Sequence, residues 1–148
     1  MLVSSMRWAG WPELAAHPWA YPALEVVHLV GVALLLGNLV LLELRVWGLA
    51  PAQPLAPLAR LALSLVLIGA TLALGSGLVM FGTRPAELLT NGPFVWKMGL
   101  LMLAATNAAM FHARGGLQRQ DGVARAQTAL SLGTWLGAII AGRWIAYA

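Results

Sequence analysis

Glu25 and His28 lie three positions apart in the stretch LEVVHLVGVALLLGN (24–38), inside a run apolar enough to cross a membrane. A neutral imidazole is a good axial ligand for haem iron, and cationic side chains near a membrane surface can pair with haem propionates. His28 as ligand, with Lys97 as a second ligand or with Lys97 and Arg143 beside the propionates, is a coherent set for a b-type haem or porphyrin. Glu25, one helical turn before His28, could orient the imidazole or move protons. The same residues admit two other readings. Glu25, Lys97 and Arg143 could neutralise one another around a hydrogen-bonded interior histidine, or His17 and His28 could share a copper ion.

His112 ends a later apolar run and is followed by arginine and glycines. A histidine there complements a helix dipole, and it is a further candidate for cofactor binding. The chain has no cysteine, so disulfides, thiolate metal sites and cysteine nucleophiles are excluded. HExxH, P-loop and nucleophile-elbow patterns are absent, as is a dinucleotide fingerprint in a strand context, so a hydrolase or nucleotide enzyme has no support.

The elements that must position these residues follow from composition. Of 148 residues, 60% are hydrophobic and 9% charged, which is the balance of an integral membrane protein. Four apolar segments, Pro22 to Trp47, Leu55 to Phe81, Pro93 to Ala113 and Arg125 to Tyr147, are each long enough to span about 30 Å of hydrocarbon. GLAPAQPLAP (48–57) and GTRPAELLTNGP (82–93) read as loops, and ARGGLQRQDGVAR is a third, polar connection. Short connections favour an all-α bundle running up-down-up-down, with residues 22–148 as the bundle. Residues 1–21 form an N-terminal segment whose Trp8, Trp11, Trp19 and Tyr21 suit the membrane interface. MLVSSMRWAG at its start lacks the apolar core of a cleaved signal peptide.

Nine basic residues are scattered near span ends without forming a run, which argues for topology signals and against nucleic acid. Arg45, Arg60, Arg114, Arg119 and Arg125 adjoin the first and third connections. Arg7 and Arg84 lie on the other side, once Lys97 and Arg143 are set aside as intramembrane. The positive-inside rule then puts both termini outside, which for a bacterial inner membrane is the periplasm.

An ionisable group in the hydrocarbon costs about 2.5–3.5 kcal/mol on insertion scales, so each should face the bundle interior. Helical turning places Glu25, His28, Asn38, Glu43 and Arg45 within roughly 160° of the first span's circumference. Lys97, Asn107 and His112 share a face of the third span, and the second span, poor in polar groups, reads as a packing partner. Counting rise sets His28 and Lys97 within about 3 Å in depth, with Glu25 and Arg143 in the same layer. His28 and His112 are about 20 Å apart along the axis, too far to clamp one iron together.

The pattern E-x-x-H-x-x-G (25–31), LLELRVWGL, NGPFVWK, N-x-x-x-x-H (107–112) and the terminal AGRWIAYA resemble an uncharacterised bacterial family of four-span membrane proteins, over nearly the whole chain. More distantly, a histidine early in the first span and a lysine early in the third are similar to the membrane-bound, haem-binding protoporphyrinogen oxidase family and the CopD-like copper-resistance family. The functional pair of the oxidase family would fall on His28 and Lys97. The resemblance implies haem b or, as the alternative, copper; the expected partners are the lipid bilayer, read from composition, and a second copy of the chain or a redox membrane protein. The expected function is electron transfer. The alternatives are copper or proton handling and a structural role in a membrane complex.

Overall fold

The computed structural model describes residues 11–148, and among them there are helices and no strand. They comprise α1 (Pro12–Ala16), α2 (Ala20–Val46), α3 (Leu55–Thr83), α4 (Pro85–Thr90), α5 (Gly92–Ala113), α6 (Gly116–Arg119) and α7 (Gly122–Trp144), followed by a single 3₁₀ turn at Ile145–Tyr147. Helices α2, α3, α5 and α7 are long and apolar enough to cross a membrane, the last together with its 3₁₀ extension. The protein is therefore an all-helical, multi-pass, four-span membrane bundle. Two of the expected loops carry short helices: α4 lies within 82–93 and α6 within the third connection. The first span starts two residues before Pro22, which sits in the first turn of α2 where its missing N–H costs nothing. Arg7 and Trp8 of the expected interfacial segment fall outside the described residues, whereas Trp11 and Trp19 are exposed.

In hydrocarbon a backbone polar group has no water to bond, so these runs satisfy themselves as helices and their ends are closed by specific caps. Gly48, with φ +92°, terminates α2: its N–H donates to the Arg45 carbonyl and that of Leu49 to the Leu44 carbonyl. Asn91 starts α5 by accepting from the Phe94 N–H at 3.0 Å, and its amide donates to the carbonyls of Ile145 and Ala148. One cap thus also anchors the chain's last turn. Asp121 starts α7 by accepting from the Ala124 N–H at 2.8 Å, while its other oxygen pairs with Arg114 at 3.1 Å.

The bundle is built as two antiparallel hairpins, α2 with α3 and α5 with α7, bridged mainly by α2 against α7. The first hairpin closes on glycine. A β-carbon at Gly31 would lie 2.6 Å from the Ala73 backbone nitrogen and 2.7 Å from the Gly69 carbonyl oxygen. One at Gly69 would meet the Gly31 carbonyl oxygen and the Leu35 nitrogen, each at 2.6 Å. Only helices lacking side chains at both points can approach so closely, and in lipid such contact is a principal source of helix association. The tightest apolar core sits at the end remote from the termini, where Leu42, Val46, Ala59, Ala62, Phe111, Leu117 and Ala124 pack together. There the Trp47 indole N–H donates to the Thr128 hydroxyl at 2.7 Å, tying α2 to α7. At the terminus-bearing end Phe81 stacks on Phe94, with ring centroids 5.6 Å apart, and the Trp11 N–H donates to the Gly82 carbonyl.

Leu61, Leu67, Leu74 and Leu78 of α3 are all more than 60% exposed, which in water would be a liability and in lipid is the expected outer face. Gly31→Ala should destabilise the detergent-solubilised protein by roughly 1–3 kcal/mol, because backbone must move to admit the methyl group. Gly37→Ala, where nothing lies within 4 Å of the added carbon, should be neutral or stabilising by about 0.5–1 kcal/mol. Thermal denaturation of the two variants checks this opposition.

The Ala124 N–H, helped by Arg114, holds the Asp121 carboxyl below the usual aspartate range. Ionised Asp121 therefore stabilises the fold above that range, and its contribution is lost as pH falls through the lowered value. The melting temperature should drop on acidification below about pH 4, and less steeply in Asp121→Asn, which can still cap the helix but carries no titrating charge.

Candidate cofactor site

His28 is presented by α2 toward α3, half-buried, one turn before the glycine contact. Its Nδ1 lies 2.8 Å from the Ala73 carbonyl oxygen and 3.2 Å from the Ser76 hydroxyl. A carbonyl only accepts, so Nδ1 carries the hydrogen and Nε2 carries the lone pair. Ser76 donates its own hydrogen to the Leu72 carbonyl at 2.6 Å and is left to accept from His28. The ring rests over Gly77, where even a β-carbon would come within 3.3 Å of Cε1. Three small residues in the ALGSG run of α3 thus orient the imidazole and fix its tautomer. Metal-ligating histidines are typically held in this way, with one ring nitrogen donating to a carbonyl and the other free to bind.

Lys97 enters the same layer from α5, partly buried and within electrostatic reach of His28. Its ammonium lies 3.2 Å from where a β-carbon of Gly142 would sit, so the glycine of the terminal AGRW makes room for it. The two side chains pack against different helices, His28 against Gly77 of α3 and Lys97 beside Gly142 of α7, with Lys97 near enough to act on His28 through its charge.

The remaining candidates are placed elsewhere. Glu25 is exposed and makes no hydrogen bond or ion pair among the described residues, so it turns away from the inward stripe of Gly31, Leu35, Leu42, Glu43 and Val46. The roughly 160° arc expected to face inward is in fact narrower, because neighbouring helices cover only one side of α2. Arg143 is at the terminus-bearing end but exposed: its guanidinium donates to the Tyr147 hydroxyl at 2.7 Å and lies over that ring at 5.0 Å. His112 is exposed at the opposite end, edge-on to Phe111. The Nδ1 of His17 accepts from the backbone N–H groups of Trp19 and Ala20 and so serves as a local turn cap.

Ala73, Ser76, Gly77 and Gly142 carry no side chain that binds iron, and Ser76 reads from the sequence only as one of the few polar groups of the second span. Their shared signal in the sequence is small-residue spacing, which reads equally as helix packing.

Histidine ¹⁵N chemical shifts should report His28 as the Nδ1–H tautomer at neutral pH. Ser76→Ala should leave that tautomer in place because the Ala73 carbonyl remains, and an Nε2–H signature would contradict the geometry. The chain matches no protein-family model, and neither a curated protein nor a solved structure is significantly similar to it.

Proposed function

We propose that this four-span protein binds haem b through Nε2 of His28 and serves electron transfer in a bacterial inner membrane, with the terminus-bearing end facing the periplasm. The observation that carries the reading is the bond from His28 Nδ1–H to the Ala73 carbonyl, which leaves the iron-binding nitrogen free and in a fixed direction. The donor set fits the group. A porphyrin supplies four nitrogens of its own, so a single oriented imidazole suffices as the protein ligand, and Lys97 would either pair with a propionate as the ammonium or serve as a second ligand as the neutral amine.

When bound, the iron porphyrin supplies one-electron chemistry. The chain's own part is to hold the imidazole neutral and immobile. The Ala73 carbonyl makes the ring a stronger donor, and the half-buried setting limits water. Arg143 and Tyr147 lie near the same end and offer a polar rim toward the membrane surface. A redox partner or a second copy of the chain would approach through the lipid-facing sides.

A bare copper ion has less support. It needs several protein ligands, and among the described residues no group of three or more histidine, cysteine, aspartate or glutamate side chains comes together.

Protein purified in detergent from haem-sufficient cells should show a Soret band. His28→Ala should abolish it and His112→Ala should retain it; a colourless wild-type protein, or a band indifferent to His28, contradicts the proposal.

A further inference from the structure

At the end remote from His28, α2 places Glu43 in the interior at 4% exposure, and neither carboxylate oxygen has a hydrogen-bond partner. The carboxyl faces a cavity of about 50 Å³ walled mostly by apolar side chains, among them Leu39, Leu63 and Phe111. That volume admits about one or two waters. We propose that Glu43 is a proton-binding site, carried as the neutral acid and exchanging its proton with the aqueous phase through His112 at the cavity mouth.

The surroundings offer no other neutralisation. On α5 Asn107 lines the cavity, and its amide donates to the Gln127 backbone carbonyl at 2.8 Å. On α7 the Thr128 hydroxyl accepts from Trp47 and donates to the Arg125 carbonyl, the Gln127 side-chain oxygen accepts from Arg114, and Ser131 lines the cavity as a second hydroxyl. Helices α3 and α6 contribute only Leu63 and Leu117. Of the cations of this end, Arg45 is committed to the Gln53 carbonyl and Gln120 and Arg114 to Asp121 and Gln127, while Arg60, Arg119 and Arg125 are exposed and do not line the cavity. His112 is the one other titratable side chain lining the cavity, and it is exposed. A metal cation would need several oxygens to replace its hydration shell, whereas a proton needs only the carboxylate. In the exchange, the Glu43 O–H bond breaks, its proton passes through a cavity water to the imidazole of His112 and on to bulk water, and the reverse path restores the acid. The inference is independent of haem binding.

Infrared spectroscopy of the full-length protein in liposomes at neutral pH tests it. The expected result is a protonated-carboxyl C=O stretch that shifts on ¹³C-glutamate labelling, is lost in Glu43→Gln and persists in Glu25→Gln. Its downshift in D₂O should be slower in His112→Ala than in the wild type. The labelled wild-type spectrum decides the matter even if Glu43→Gln fails to fold. Absence of the band in the wild type, or its loss when sodium replaces choline in the buffer, overturns the proposal in favour of a hydrated or cation-bound carboxylate. Unchanged D₂O exchange in His112→Ala overturns the route through His112.

Discussion

The backbone contact between Gly31 and Gly69 is the constraint on which the candidate site depends. Two helices meeting through bare backbone lie closer than side chains at those points would allow. That closeness lets His28, one turn from Gly31, reach a carbonyl of the neighbouring helix directly. A wider α2–α3 spacing would leave the imidazole free to rotate and the Ala73 carbonyl with its intrahelical partner alone. The geometry of the chemistry-bearing residue is therefore set by residues with no chemistry of their own.

The bundle divides its labour along the membrane normal. The end remote from the termini is the better packed, with its apolar core, the Trp47–Thr128 bond and the Arg114–Asp121 pair joining hairpins and turns. The terminus-bearing end is held by the Phe81–Phe94 stack and by Asn91, and contains small residues around His28 and Lys97. Ionisable groups lie in the interior at both ends, His28 and Lys97 at one and Glu43 at the other.

Much of this was legible in the sequence because lipid imposes strong rules. Span length, proline in first turns and polar punctuation located all four helices within a few residues, and rise per residue put His28 and Lys97 in one layer. What could not be read was rotation. A helix in a four-helix bundle buries a narrow stripe, so an arc containing both Glu25 and Glu43 overstates the interior: Glu43 is enclosed and Glu25 is not. Arg143 was legible in depth but not in direction, because its neighbour Gly142, and not the arginine, faces Lys97. The short helices α4 and α6 were hidden by proline and glycine, which mark a loop and a helix start alike.

The central claim is that α3 presents the His28 Nε2 nitrogen to iron. Resonance Raman spectroscopy of the ferrous, haem-loaded protein addresses it most directly. The account predicts an iron–imidazole stretching band that shifts on ¹⁵N-histidine labelling, is missing in His28→Gly and returns when imidazole is added to that variant. A haem-loaded protein with no histidine-sensitive iron–nitrogen band, or one whose band persists unchanged in His28→Gly, would contradict it.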